Sequence, residues 1–267
     1  MLTNPRSDRV KSVRALSRRS VRSRTGQFLA EGPQAVREAV RFVPEHVRDL
    51  YVTPEAADRH ADVVAGGRDA QLWVHEVTPE VLAAMSDAEH PQGIMAVCRW
   101  ARLSLDDALG ALPPDPLVCV LAHVRDPGNA GTVIRGADAA GADLLVVSDA
   151  SVDVLGPKVV RSTVGSLWHL PVVTEVPIET VLGALHAQGI RLLAADGSGQ
   201  TFLPDADLDG PHAWVMGNEA WGLEEQVRDA CDDVVRVPIH GHAESLNLAM
   251  AATLCLYASA EARRRRG

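Results

Sequence analysis

Residues 117–148, LVCVLAHVRDPGNAGTVIRGADAAGADLLVVS, contain the pattern from which the architecture follows. The apolar runs Leu117–Val124 and Leu144–Ser148 predict two buried strands. Between them a polar Pro-Gly turn leads into Ala130–Ala140, where apolar residues recur at helical spacing. A strand, a helix and a strand in this order predict a parallel β-α-β unit. Ligands of such sheets bind at the carboxyl ends of the strands.

The same alternation continues toward the C-terminus. Further strands are predicted at His169–Val173, Arg191–Ala195, Ala213–Met216 and Val234–Val237. Further helices are predicted at Lys158–Thr163, Pro177–Ala187, Leu223–Ala230 and Ser245–Glu261. The last of these is apolar almost all round, which predicts a buried helix. Residues 116–267 are therefore predicted to form an α/β domain with a mainly parallel sheet and helices on both faces.

The first half of the chain has a different character. Residues 1–100 predict a smaller α/β domain that begins with a basic helix at Val10–Ser23 and a short strand at Phe28–Ala30. No nucleophile–base pair or phosphate loop occurs there, which favours a binding module. Residues 101–115 are interpreted as a linker, because the prolines that close this stretch cannot lie inside a helix.

Charge is distributed unevenly along the chain. The net charge is −9, yet residues 1–25 contain eight basic residues and one acid. A basic arm on an acidic body is typical of a phosphate-binding surface, and a solvated arginine-rich face explains the count equally well. The candidate phosphate contacts in this arm are Arg6, Arg9, Lys11, Arg14, Arg18 and Arg19.

Composition argues against several classes of protein. The chain has 267 residues, 46% of them hydrophobic, which suffices for packed cores. The longest apolar runs are too short to span a bilayer, and the arginine-rich N-terminus does not resemble a signal peptide. Four scattered cysteines without a CxxC pair fit a reduced cytoplasm, and the ten histidines form no helical metal-binding pair. We therefore expect a cytoplasmic protein with neither a membrane segment nor a metal.

The first of three unusual loops joins the strand and helix quoted above. Asn129 is placed to cap the helix, and Gly131 lies four residues before Arg135 on one face. A glycine beside a guanidinium leaves room for a ligand phosphate or ribose. Alternatively, Asn129 is only a cap and Arg135 pairs with Asp138.

Two further loops follow predicted strands. In Gly217-Asn218-Glu219-Ala-Trp-Gly222, two glycines bracket a carboxylate and permit a sharp turn and a close ligand approach, although Glu219 could merely favour the next helix N-terminus. In the loop from Val237 to Asn247, Ser245 is a natural N-cap, and Asn247 inside the first turn needs a partner. The alternative is an ordinary capped core helix.

Together, in this order, the three loops resemble the motifs of the SpoU/TrmH family of S-adenosylmethionine-dependent RNA ribose 2′-O-methyltransferases. The resemblance covers roughly residues 116–260 and includes Arg161–Pro171, which is similar to the intermediate segment of the family. The first half resembles the ribosomal-protein-like RNA-binding domain of many members, through its basic helix and Phe28–Gly32.

The resemblance implies a trefoil knot in the C-terminal domain, S-adenosyl-L-methionine as methyl donor, an RNA substrate, and an obligate homodimer whose active sites use both chains. It implies no metal. The implied catalytic set is Asn129, Arg135, Glu219, Ser245 and Asn247. The implied donor-binding set is Gly217, Asn218, Gly222, Val237, Pro238, Ile239, Ser245 and Leu246.

Several substrates and classes stay open at this point. Ribosomal RNA is favoured by the accessory domain, with transfer RNA as the alternative. A non-catalytic RNA-binding dimer would not require Asn129, Arg135, Glu219, Ser245 and Asn247 together. A base methyltransferase of the same superfamily is disfavoured by the Ser-Leu-Asn element at 245–247.

Overall fold

The computed structural model describes residues 1–266, which form two compact units. Unit 1 comprises Met1–Ala101 and Asp153–His169, and unit 2 comprises Arg102–Val152 and the chain from Leu170 onward. The α-helices are α1 Asp8–Arg14, α2 Arg19–Thr25, α3 Pro33–Phe42, α4 Pro54–Arg59, α5 Ala61–Asp69, α6 Pro79–Met85, α7 Leu105–Gly110, α8 Pro127–Ala140, α9 Pro157–Thr163, α10 Ile178–Ala187, α11 Glu225–Asp229 and α12 Leu248–Arg266. The strands are β1 Gln27–Glu31, β2 Val47–Val52, β3 Trp73–Glu76, β4 Ile94–Arg99, β5 Leu117–Leu121, β6 Leu144–Ser148, β7 Val172–Val176, β8 Arg191–Ala195, β9 Thr201–Phe202, β10 His212–Met216 and β11 Asp233–Arg236.

Unit 1 contains a four-stranded mixed sheet in the order β1-β4-β2-β3. Strand β4 is antiparallel to both of its neighbours, whereas β3 runs parallel to β2 and forms an edge. One face packs against α1 and α6 through a core that includes Val10, Leu29, Tyr51 and Met95. The prediction of a small α/β domain in the first half is confirmed.

The prediction of one continuous helix at Val10–Ser23 is wrong. A 3-10 turn at Ala15–Ser17 and an extended Arg18 separate α1 from α2. The break frees the Leu16 and Ser17 carbonyls, which accept hydrogen bonds of 2.8 and 2.7 Å from the buried Arg22 guanidinium. Arg22 thus has a structural role rather than being part of a solvated basic face.

Unit 2 contains a seven-stranded sheet in the order β7-β6-β5-β10-β8-β11-β9. Every pairing in it is parallel, which confirms the predicted α/β architecture. After β5 the chain adds β6 and β7 on one side, and the later strands lie on the other. The carboxyl ends of β5 and β10, Leu121 and Met216, are paired in register, so the loops that follow them start side by side.

Two segments differ from the expected domain organisation. The predicted linker 101–115 contains α7, capped by Ser104, and Leu105 and Leu109 pack into the core of unit 2. Residues 153–169 belong to unit 1, where Arg161 forms an ion pair with Glu31. The strand predicted at His169–Val173 begins only at Val172, because Ser166–Trp168 form a 3-10 turn.

The long helix α12 is only partly buried, contrary to the prediction. Ala252, Cys255 and Leu256 are buried, but an apolar stripe of Met250, Leu254 and Tyr257 is exposed on another face. Within residues 1–266 no helix has the length and apolarity needed to cross a membrane. The same described residues contain no cluster of three or more potential metal ligands, and all four cysteines are free thiols.

Candidate active site

The three loops meet at the carboxyl edge of the unit 2 sheet, around a cavity of about 490 Å³. The loops after β8, β10 and β11 and the first turns of α8 and α12 all contribute to its wall. The lining is formed by Asn129, Ala195, Asp196, Gly197, Gly217, Asn218, Glu219, Ala220, Gly222, Val235, Val237, Ile239, Glu244, Ser245, Leu246, Asn247, Leu248 and Ala251. The topological switch between β5 and β10 therefore places a ligand-sized cavity where open parallel sheets bind ligands.

The loop after β10 is a tight reverse turn. Asn218 and Gly222 exchange backbone hydrogen bonds of 2.8 and 2.9 Å, and Gly222 has a φ of +72°. A Cβ atom at Gly217 would lie 2.3 Å from the carbonyl carbon of Gly222. The expectation that Gly217 serves ligand approach is thus incomplete, because its own turn already requires a glycine. The Asn218 amide donates to the His123 carbonyl at 2.7 Å and joins this turn to the loop after β5.

The Glu219 carboxylate organises the loop that leads into α8. One oxygen accepts hydrogen bonds from Asp126 N–H at 3.1 Å and from the Asn129 amide at 3.2 Å. The other oxygen accepts from Arg125 N–H at 3.2 Å. Two backbone donors and one side-chain donor therefore converge on this carboxylate and occupy both of its oxygens.

Asn247 continues this network. Its side-chain amide donates to Oδ1 of Asn129 at 2.9 Å, and its own Oδ1 accepts from Ala249 N–H at 2.9 Å. Asn247 is therefore the N-cap of α12, and the assignment of the cap to Ser245 is wrong. Asp126 is the N-cap of α8 and accepts from Asn129 N–H, so the capping role predicted for Asn129 is also wrong.

Most of the predicted catalytic and donor-binding residues line the cavity, with two exceptions. The residues brought together are Asn129, Gly217, Asn218, Glu219, Gly222, Val237, Ile239, Ser245, Leu246 and Asn247. Pro238 lies between two lining residues without lining the cavity itself. Arg135 is exposed on α8 and does not contribute to the wall, while Gly131 on the same helix is buried.

Sequence reasoning missed the loop after β8. Ala195, Asp196 and Gly197 line the cavity, and the signal was an Asp-Gly pair directly after an apolar strand. Partial burial opposes the charge on Asp196, but hydrogen bonds from the hydroxyl and N–H of Ser198 hold the pKa of its carboxyl below the usual value. The cavity wall thus carries Asp196 as an anion at neutral pH.

The predicted RNA contacts of the N-terminal arm lie on the surface of unit 1. All six, Arg6, Arg9, Lys11, Arg14, Arg18 and Arg19, are exposed. Some also make intramolecular contacts: Arg14 donates to the Ser86 carbonyl at 2.7 Å, and Lys11 pairs with Asp8 at 3.3 Å. Their exposure leaves them accessible to phosphate groups.

Comparison with known families covers nearly the whole chain. Residues 116–257 match the SpoU rRNA Methylase family, and residues 7–96 match the MRM3-like substrate binding domain. The boundary between the two matches falls in the region of α7, close to where unit 2 begins.

Individual relatives agree with the family matches. The chain is 30% identical over 259 residues to the Bacillus subtilis 23S rRNA (guanosine(2553)-2′-O)-methyltransferase RlmP, covering 96% of this chain and 97% of the relative. The SpoU methyltransferase AviRb from Streptomyces viridochromogenes, solved with AdoMet, superposes with a TM-score of 0.86 at 32% identity over 97% and 99% of the two chains. An AdoMet-bound rRNA methyltransferase from Sinorhizobium meliloti gives a TM-score of 0.85 at 28% identity over 99% and 97%.

Fold, cavity and relatives define an S-adenosyl-L-methionine-dependent RNA ribose 2′-O-methyltransferase. The chain belongs to the SpoU rRNA methylase family. Its own cavity fits the cofactor chemically. Val235, Val237 and Ile239 offer an apolar wall to an adenine ring, whereas the Asp196 carboxylate suits the positive charge of a sulfonium or an ammonium group.

Proposed function

We propose that this enzyme methylates a ribose 2′-hydroxyl of ribosomal RNA. The observation that carries the proposal is the Glu219–Asn129–Asn247 network, which joins three separate loops at the wall of the donor cavity. The relatives named for 23S rRNA, similar over nearly the full chain, support ribosomal RNA over transfer RNA.

Backbone and apolar groups would hold the methyl donor. The turn at Gly217–Gly222 and the segment Val237–Leu246 supply most of the wall, and we assign donor binding to Gly217, Asn218, Gly222, Val237, Pro238, Ile239, Ser245 and Leu246. The cofactor supplies an activated methyl group on a sulfonium. The task left to the protein is to align the ribose oxygen with that methyl group and to assist loss of the hydroxyl proton.

The amide network is suited to orient the ribose. Asn129 uses one amide N–H for Glu219, and Asn247 uses one for Asn129, which leaves a second N–H on each amide to donate to a ligand. Because Glu219 and the α12 N-terminus fix both amides, these donors are preorganised and cost little reorganisation during the reaction. Ser245 at the cavity wall would add a hydroxyl to the same site.

We assign Arg135 to the substrate rather than to the donor. A guanidinium hardly deprotonates in proteins, so Arg135 would orient the adjacent phosphate or the 2′-oxygen and stabilise the developing negative charge. A substrate phosphate can then take up the hydroxyl proton. The exposure of Arg135 outside the cavity fits a residue that meets RNA.

We further propose a homodimer whose active sites combine both chains. Met250, Leu254 and Tyr257 recur at a spacing of four and three residues on α12 and leave an apolar stripe exposed, which is typical of a helix that packs on a partner. Arg135 lies on α8, which packs against α12 at Gly136 and Thr253. A dimer through this face would let Arg135 of one chain complete the cavity of the other.

Two more expectations belong to this proposal. A C-terminal trefoil knot is supported by the chain path, since α12 returns to α8 and β10 although β11 lies beyond β8 in the sheet. Unit 1 would serve as the RNA-binding domain through its arginine-rich arm. An enzyme acting on ribosomal RNA would work in the cytoplasm, where ribosomes are assembled.

The test is methyl transfer from labelled S-adenosyl-L-methionine by the purified full-length protein to deproteinised ribosomal RNA and, separately, to transfer RNA. The proposal expects label in ribosomal RNA with the wild type and none with Arg135→Ala. Label in transfer RNA alone would show that transfer RNA is the substrate. Label in a base would show that the reaction is base methylation and not ribose methylation. RNA binding without any transfer would indicate a non-catalytic protein.

A further inference from the structure

Unit 1 contains a groove that none of the predicted sites accounts for. It has a volume of about 470 Å³ and lies at one end of the four-stranded sheet, where β2, β3 and β4 meet the start of α1. Its lining consists of Arg9, Val47, Arg48, Asp49, Gln71, Leu72, Trp73, His75 and Arg99. Arg9 alone among these belongs to the predicted basic arm.

Trp73 is the most conspicuous residue of the groove. Its side chain is 73% exposed, although large aromatic side chains are usually covered in a folded domain. It lies on the edge strand β3, directly opposite Asp49 of β2, so its indole stands on the same face of the sheet as Asp49. An exposed indole offers a flat surface on which a nucleobase can stack.

The charge of the groove is positive although the chain carries −9. Arg9, Arg48 and Arg99 line it together with a single acid, Asp49. The Asp49 carboxylate is nearly buried and already engaged, at 3.2 Å by Arg48 and at 2.9 Å by the His75 ring. The remaining positive charge therefore faces the groove.

Two of the cations are held in place before any ligand arrives. Arg48 donates to the Gln27 side-chain oxygen at 2.9 Å in addition to its contact with Asp49. The Arg9 guanidinium lies 3.3 Å from Nδ1 of His75, whose Nε2 faces Asp49, and the His75 ring stacks on Tyr51 with ring centroids 5.0 Å apart. Such preorganisation lowers the entropic cost of binding an anion.

We propose that this groove binds one nucleotide of a single-stranded RNA segment, with its base stacked on Trp73 and its flanking phosphates bound by Arg9, Arg48 and Arg99. The inference rests on the proposed RNA substrate and adds a recognition site on unit 1. A double helix would not serve, because its bases are stacked on one another and present no free face. Cations around an exposed aromatic ring match a nucleic acid better than a protein surface.

The experiment measures binding of a fluorescein-labelled single-stranded RNA of roughly ten nucleotides to the full-length protein by anisotropy across a salt series. Trp73→Ala should weaken binding about fivefold or more with an unchanged salt slope, because it removes stacking and no charge. Trp73→Phe should retain most of the affinity. Arg99→Gln should lower the slope by about 0.7, the value for one phosphate contact on a single strand.

Phe42→Ala is the matched control, since Phe42 is the other large exposed aromatic side chain on the α3–β3 part of unit 1, lies outside the groove and should not matter. Wild-type affinity in Trp73→Ala, or an equal loss in Phe42→Ala, would overturn the site and leave the β3 edge as a surface for a protein. An equal loss on a blunt duplex would also overturn it. These outcomes are distinct from failure of the proposed function, in which the wild type itself transfers no methyl group to RNA.

Discussion

The Glu219 carboxylate joins elements that are about ninety residues apart in the chain, because it accepts from the N–H groups of Arg125 and Asp126 and from the Asn129 amide. Asn129 in turn accepts from Asn247. A change at Glu219 should therefore act on the reaction through the orientation of these two amides.

Glu219→Gln should lower kcat by about 100-fold, since small misplacements of orienting groups cost that much. One of its oxygens becomes an NH₂ group that cannot accept the existing N–H donors. Affinity for S-adenosyl-L-methionine, measured by calorimetry, should stay within a few-fold. Glu225→Gln, on the exposed surface of α11, is the control and should leave kcat unchanged. Normal turnover in Glu219→Gln would show that Glu219 does not orient the two amides for the reaction.

Gly197→Phe should weaken donor binding by roughly tenfold or more without unfolding the protein. A Cβ atom at Gly197 meets no protein atom within 4 Å, so the new side chain can occupy the cavity or its mouth. Calorimetry with S-adenosyl-L-methionine measures the effect, and the melting temperature serves as the control for folding. Gly183→Phe is the matched control, because a Cβ atom at Gly183 also meets no protein atom within 4 Å. Gly210 is unsuitable, because its φ of +75° would strain any other residue. Unchanged donor affinity in Gly197→Phe would place the donor elsewhere.

At this scale the residue types of the site were predictable and their partners were not. The sequence singled out Asn129, Glu219 and Asn247, because polar residues after apolar strands are unusual enough to notice. It assigned the helix caps to Asn129 and Ser245, whereas Asp126 and Asn247 hold them. A cap depends on which residue leaves the helical conformation first, and tertiary hydrogen bonds such as that between Asn247 and Asn129 decide this.

Among the secondary-structure elements, α12 and β10 are joined by a buried polar contact. The Ser259 hydroxyl lies 2.7 Å from Nε2 of His212 and accepts from the Trp214 indole at 2.8 Å. All three side chains are fully buried. The Nδ1 atom of His212 lies 2.8 Å from the Gly210 carbonyl, so the neutral tautomer with a proton on Nδ1 satisfies every group.

Ser259→Ala should lower the free energy of unfolding by about 1–3 kcal/mol, because it leaves the His212 and Trp214 nitrogens without a partner in the interior. Urea unfolding measures the loss. Ser20→Ala, at an exposed position of α2, should change stability by no more than about 0.5 kcal/mol. Equal effects of the two substitutions would show that the buried contact contributes nothing.

The burial of His212 also makes stability depend on pH. Burial lowers the pKa of His212 from its usual value of 6.5, so just below pH 6.5 the unfolded chain binds a proton that the folded chain does not. The wild type should therefore lose stability as the pH falls from 6.5 toward the folded-state pKa.

Periodicity located the strands of unit 2 well and the long helices less well. Strand β6 has the predicted bounds because its apolar run is short and fully buried. The helix predicted at Val10–Ser23 is broken because the Leu16 and Ser17 carbonyls bind Arg22, a contact that no local pattern encodes. The exposed stripe on α12 was missed because an apolar helix predicts burial on every face, and the sequence does not show which face the chain leaves uncovered.

At the scale of the whole molecule, the proposed dimer with shared sites would explain why Arg135 lies outside the cavity wall. Arg135→Ala and Gly197→Phe should each be inactive alone. In a purified heterodimer of the two variants, one composite site would contain both an intact cavity and an intact arginine. About half of the wild-type activity should return, because one of two symmetric sites is restored. An inactive heterodimer would mean that each chain supplies its own arginine.

The order of the two domains could be predicted from the sequence. That unit 1 also contains a later segment of the chain, residues 153–169, could not. Residues 153–169 belong to unit 1 through contacts such as Arg161 with Glu31 and the Trp168 indole with the Ala35 carbonyl. The alternation of strands and helices cannot reveal such contacts, since Pro157–Thr163 reads as another crossover helix of the parallel sheet. The reaction was predicted from the resemblance to a family and not from periodicity.

The most direct test of the proposed reaction is a map of ribose methylation in total RNA from the source organism, with and without this gene, by alkaline fragmentation. A 2′-O-methyl group blocks cleavage at the nucleotide that carries it. We predict a protected position in ribosomal RNA that disappears on deletion, returns with the wild-type gene and does not return with Arg135→Ala. A protection pattern unaltered by deletion would contradict ribose methylation of ribosomal RNA by this enzyme.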